Sequence, residues 1–328
     1  MDATNAEIPQ DLVQEEALWF PDGTLVLRAE THLFRVFPGI LAAKSPVFQD
    51  MLSFPQPQNG ESYDGCPLVH LPDSAADMTH FLKAIFHYEY FEPWPTKLAF
   101  EIVAGVLRMS QKYQVDHLRK RALVHLSRRY PISLNEFGCT YEWEDPIAVA
   151  NLARHVAADW ILPVVLSSCA WLDPAKLLDG SLTPADALLC FRARDQLQTY
   201  WSSKVLHFLC TPSRILGCKT PEFCAHLRLE FRSQAEDWCE EHVRVLNLWD
   251  EETWDGMEEP CDVCLTSMKS ANAAGRQECW NNLPNLFGLP NWQTLLNMRK
   301  AALGFLRTSP VSRITAQNII QRNLAMKL

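Results

Sequence analysis

A chain of 328 residues exceeds one typical domain, and with 48% of them apolar it can bury a substantial core. Its net charge of −9 argues against a general nucleic-acid-binding surface, which needs clustered Lys and Arg to neutralise phosphate. The polar start Met1-Asp2-Ala3-Thr4 is unlike a secretion signal, and no uninterrupted apolar stretch approaches the ~20 residues of a membrane span.

Eleven cysteines, an odd number, then read as reduced thiols of a soluble protein of the cytoplasm or nucleus. Residues 1–18 read as a mobile polar lead. Two short strands are expected at 24–28 and 33–36, joined in a hairpin around Ala29-Glu30-Thr31. A short helix follows and is restarted at Ser45-Pro46. The Ser45 hydroxyl can accept from the free amides of the next turn, and Pro46 suits the first helical position, where a missing N–H costs nothing. Val47, Phe48, Met51 and Leu52 then share one apolar face at helical spacing.

Pro55, Pro57, Asn59, Gly60 and Gly65 mark residues 54–66 as a loop, and 67–71 as the short buried strand after it. Ser74 caps a helix carrying Met78, Phe81, Leu82, Ile85 and Phe86 on one face. Pro93 and Pro95 break the chain. Helices at 98–112 and 117–129 follow, the second stopped by Pro131. The basic run Arg119-Lys120-Arg121, with Arg128 and Arg129, lies on that amphipathic helix and reads as a solvated face rather than a DNA contact.

Beyond Pro131 the strand signals fade. Asp145-Pro146, Thr183-Pro184 and Thr220-Pro221 repeat the cap-then-proline start. Val149, Leu152, Ala153, Val156 and Trp160 form a helical stripe, and Leu188, Leu189, Leu197, Trp201, Val205 and Phe208 form another in a longer helix. A further helix is expected over 221–238, with long connections around 139–145, 246–260 and 279–291. After Thr308 a weak amphipathic pattern persists in the tail.

The most chemical feature is the set Cys218-x5-Cys224 and Cys261-x2-Cys264. Four thiolates in tetrahedral array would suit a closed structural zinc site clamping two helix starts across an acidic loop. The competing reading is that these are small buried hydrophobes, as free cysteines commonly are. Cys239-x2-His242 offers a second ligand pair. The run from Trp249 to Pro260 sets six carboxylates about two tryptophans, either a docking element or a solvated loop whose tryptophans fold back; the second reading is favoured because an exposed Trp pair invites association. Catalysis finds little support, and an enzyme would need a constellation that no local motif reveals. There is no Gly-rich phosphate loop, no His-Glu-x-x-His and no Gly-x-Ser-x-Gly elbow, and His80, His87, His117 and His125 fall on helices where partial burial explains them.

Gly23-Thr-Leu-Val-Leu, Phe34-Arg-Val and Ile40-Leu-Ala-Ala-Lys-Ser-Pro-Val-Phe-Gln-Asp-Met-Leu resemble the opening of a BTB/POZ domain. Val69-His-Leu-Pro-Asp, Phe81-Leu-Lys-Ala-Ile-Phe and Leu107-Arg-Met-Ser-Gln-Lys-Tyr continue the resemblance in order, over residues 19–131. The whole chain, with its Trp- and Cys-rich second half, is similar to a large fungal group of BTB proteins. The resemblance implies an α+β module, a small sheet flanked by helices, followed by a mainly α-helical C-terminal domain over 132–307 and a tail over 308–328. It further implies a non-enzymatic protein-binding adaptor or scaffold, forming homodimers or recruiting a cullin-type ubiquitin ligase or acting in transcriptional regulation. Ile40, Leu41, Val47, Phe48 and Met51 would be its core or interface. Its alternative is a zinc-stabilised oligomerisation protein without a ligase role. Where many members carry His followed by a basic residue, this chain has Phe37-Pro38, so Asp22 lacks the usual basic partner.

Overall fold

The structure is a computed structural model that describes residues 12–54, 60–137, 145–210, 215–240, 254 and 260–304. Its first element is a strand, β1 (Val13–Trp19), followed by the hairpin of β2 (Leu25–Ala29) and β3 (His32–Val36). The hairpin is the expected one, with Leu27 opposite Phe34, and Glu30 turns the chain at φ 51°. Two helices come next, α1 (Pro38–Lys44) and α2 (Pro46–Ser53), and then β4 (Ser62–Tyr63) and β5 (Cys66–Leu71). The sheet runs β1-β3-β2-β5-β4, with β1 parallel to β3, β2 parallel to β5 and the other pairs antiparallel.

Two strands depart from the sequence reading. β1 occupies the end of the expected polar lead, and β4 lies within the expected loop. β1 carries Glu15 and Glu16 and fully buries only Leu18, so main-chain pairing to β3 holds it without an alternating apolar signal. β4 is two residues long.

Side-chain alternation divides the sheet. Leu25, Leu27, Phe34 and Val36 join the main core with α3 (Ala75–Phe86), α4 (Phe100–Lys112) and α5 (Asp116–Arg129). Val26, Leu33 and Cys66 form a small second cluster under Leu12, Trp19, Tyr63 and Leu68. The Ser45 and Ser74 caps form as expected, accepting from the amides of Phe48 and Asp77.

The rest of the described chain is helical: α6 (Pro146–His155), a 3-10 turn at Asp159–Ile161, α7 (Leu162–Cys169), α8 (Pro174–Leu178) and α9 (Pro184–Tyr200). A π-helical turn at Trp201–Val205 leads into α10 (His207–Cys210), then α11 (Pro221–Glu240), α12 (Asp262–Leu286) and α13 (Trp292–Leu303). The cap-and-proline starts at Asp145 and Thr183 are realised, Asp145 accepting from Ile147 and Ala148 and Thr183 from Asp186.

Three segments differ from the sequence expectation. The expected long helix is interrupted by the π turn, and the buried face of α9 is Asp186, Ala187, Cys190, Ala193 and Leu197 while Leu188 is exposed. The expected connection over 279–291 is helical as far as Leu286; Pro284 sits inside α12, and Trp280 stacks on Trp292 at 4.7 Å. The basic run is only partly solvated: Arg121 donates to Phe91 O at 2.6 Å and the buried Arg129 to Leu98 O at 3.0 Å, tying down the segment between α3 and α4.

The two halves share one core. Trp160, fully buried, donates from Nε1 to Ser127 Oγ on α5 at 2.9 Å, Gln111 on α4 donates to His155 O, and α13 packs on α5. A single apolar cluster therefore extends from Leu18 to Leu303, and residue 131 marks no break in the packing.

Candidate functional site

The four cysteines come together through two helix starts. Gly217 takes φ +83°, a conformation open to glycine, and the turn closes with Cys218 N–H donating to Ile215 O at 3.1 Å. Cys224 lies in the first turn of α11, where its N–H donates to Thr220 O and Thr220 Oγ1 is 3.2 Å from its sulfur. Cys261 is the N-cap of α12 and Cys264 is the third residue of its first turn. All four Sγ atoms lie within 4.8 Å of one another, with Cys218 and Cys261 3.8 Å apart. A tetrahedral ion with sulfur at about 2.3 Å requires sulfur–sulfur edges of about 3.8 Å, whereas a disulfide needs about 2.05 Å. The four are free thiols spaced closely enough to bind a metal.

The cluster has an inside and an outside. Cys224 and Cys264 are buried, while Cys218 and Cys261 are partly exposed. The Cys261 thiol is drawn down to about 6 by the amide N–H groups of Lys219, before α11, and Cys264, in the first turn of α12. Burial and the neighbouring sulfurs push Cys264 the other way. Cys261 N–H also donates to Cys224 Sγ at 3.4 Å. Lys219 and Asp262 pair at 3.0 Å across the same joint, exposed and therefore weak. An all-sulfur, half-buried donor set meets the chemistry of a closed thiolate centre. Of the second ligand pair, His242 and the Cys239 side chain lie outside the described residues.

The second candidate surface is built on α1 and α2. Ser45 Oγ accepts from Phe48 N–H at 3.1 Å and donates to Tyr113 O, and the Phe48 ring stacks on Tyr113 at 4.4 Å. Tyr113 OH and Lys112 Nζ both donate to the buried carboxylate of Asp73. Asp77 accepts a two-pronged bond from Arg108 at 2.6 Å. None of these polar anchors stood out in the sequence; the only visible signal was the cap at Ser45. Of the five residues singled out, Leu41 and Phe48 are fully buried, Val47 and Met51 are half-buried against the core, and Ile40 is 40% exposed. Phe37 packs with Phe20 at 5.2 Å and near Phe86, so it is the edge of an aromatic cluster and brings no positive charge to the exposed Asp22.

Two other features are placed. Trp254 is buried, its ring 5.9 Å from Phe208 and beneath the Lys269 ammonium at 5.7 Å, so at this residue the folded-back arrangement holds; Trp249 and the flanking carboxylates lie outside the described residues. A 470 Å³ cleft between α10, α11 and α12 is floored by Phe208, Met268 and Gly275, and at its rim Lys204 and Glu278 pair at 2.9 Å.

The family comparison falls on the sheet and its helices. The BTB/POZ domain model matches residues 14–129, from within β1 to the last residue of α5. No curated protein matches the chain.

Proposed function

We propose that this chain, whose residues 14–129 are a BTB/POZ domain and hence a protein-interaction module, is a non-enzymatic adaptor or scaffold. The observation that carries the proposal is the division of the module's surface. The α4–α5 side is packed beneath the chain's own helices, through Trp160 on Ser127, while Ile40 on α1 stays exposed beside the firmly anchored α2. Ile40 and the half-buried Val47 and Met51 are the contact residues, with Leu41 and Phe48 holding the helix pair to the core.

The partner is a protein: a second copy of the chain, a cullin-type ligase scaffold or a component of transcriptional regulation, in the cytoplasm or nucleus. No described helix is long and apolar enough to cross a membrane, and the −9 charge argues against direct nucleic-acid binding. A cullin retained on the purified chain, under conditions that keep established adaptor complexes together, supports the ligase role. Its absence under those conditions contradicts that role and leaves the scaffold.

A second reading concerns the cysteine cluster, where the sulfur geometry favours structural zinc. Zn²⁺ suits four thiolates without preferring any other geometry. Held by Cys218, Cys224, Cys261 and Cys264, it would fasten the start of α11 to the start of α12. That cross-link matters because the described buried face of α11 is a narrow stripe of Cys224, Leu227, Phe231 and Ala235. Metal analysis of purified protein tests the assignment: about one zinc per chain is expected, and less than ~0.2 contradicts it.

A further inference from the structure

The cluster is asymmetric in a way that four equivalent ligands would not require. Cys218 and Cys261 are the two partly exposed residues, and their sulfurs lie 3.8 Å apart, while Cys224 and Cys264 are buried. A small oxidant from solvent therefore meets two adjacent sulfurs that already face one another. We infer that the centre is an oxidant-sensitive clasp, in which hydrogen peroxide joins Cys218 to Cys261 and thereby empties the site of metal. The inference rests on the zinc reading above and adds regulation to it.

The chemistry balances within named groups. One exposed sulfur attacks the peroxide, the O–O bond breaks, and a sulfenate forms as the first water leaves. The second sulfur displaces the sulfenate oxygen, which departs as the second water, and one S–S bond is made. The two sulfurs together give up two electrons, and one hydrogen peroxide accepts them with two protons. Cys224 and Cys264 then remain as two donors where four were needed, too few for a closed site. The new covalent bond spans the same two elements, from the loop before α11 to the N-cap of α12. The helix starts thus stay linked while the metal is released.

The experiment uses the full chain as purified. Zinc is measured first, then the protein is titrated with hydrogen peroxide while freed zinc is followed with a chromogenic chelator and disulfides are mapped on non-reduced peptides. Release of about one zinc per chain in step with a Cys218–Cys261 disulfide, both reversed by a dithiol and zinc, is the expected result. A Cys279→Ser variant, altering a buried thiol outside the cluster, should behave identically. Zinc-loaded protein that keeps its metal under peroxide, or that loses it with a Cys224–Cys264 bridge instead, overturns the clasp and leaves the zinc centre standing. Protein that carries no zinc before peroxide is added overturns the zinc reading and, with it, the regulated release.

Discussion

Tyr113 joins α2, the end of α4 and the turn before α3. Its ring stacks on Phe48, its carbonyl accepts from Ser45, and its hydroxyl donates to Asp73. Burial and the Asp73 carboxylate hold its phenol protonated well above the usual tyrosine range. Tyr113→Phe keeps the stacking and removes one bond to a buried charge, which is expected to cost about 1.5–3 kcal/mol in denaturant unfolding. An unchanged midpoint would mean that Lys112 alone satisfies Asp73. Histidines set the acid response. His80, His117 and His125 are each held below their ordinary 6.5 by burial. The unfolded chain therefore takes up protons before the folded one, and stability is lost as pH falls below that value. Thermal midpoints recorded from pH 7.5 down to 5.5 should fall, roughly where histidine titrates. His125→Gln can still donate to Glu92 O and should flatten part of the slope. A midpoint that rises on acidification would contradict this.

At the level of elements, two glycines give opposite expectations. Gly275 on α12 lies against the π turn, where an added Cβ would sit 2.4 Å from Lys204 O. The backbone there cannot swing aside as a side-chain tip could, so Gly275→Ala should destabilise by about 1–3 kcal/mol despite alanine's better helix propensity. Gly39 in α1 has nothing within 4 Å of its added Cβ, and Gly39→Ala should gain up to about 1 kcal/mol. Melting temperatures of the two variants check both signs at once. The same elements show what a single sequence can carry. The caps at Ser45, Ser74 and Asp145 were legible because capping is local chemistry, and the hairpin at Glu30 because two apolar runs flank it. β1 was not, since Glu15 and Glu16 occupy an edge strand whose stabilisation lies in the β3 backbone. The face of α9 was misplaced because its inward residues are small or polar: Asp186 is buried and accepts from Arg154, a partner 32 residues earlier. The cysteine spacing was visible, but the approach of Cys218 to Cys261 depends on two helix starts that only the tertiary fold brings together.

Across the whole molecule, the shared core decides which surface remains for partners. α6, α7 and α13 pack into the same apolar cluster as the sheet and α3 to α5, so the C-terminal half covers one side of the BTB module. The −9 charge and the open α1 face are then what a partner meets. This face, with Ile40 at its tip, is the proposed protein-binding surface. The direct measurement is parallel affinity purification of the tagged full chain and its Ile40→Asp variant, quantified by mass spectrometry alongside their melting temperatures. The expected result is a loss of roughly tenfold or more in the recovered partner, including any second copy or cullin, at an unchanged melting temperature. Equal recovery of the same proteins by both chains would contradict a binding role for Ile40 and move the binding surface elsewhere.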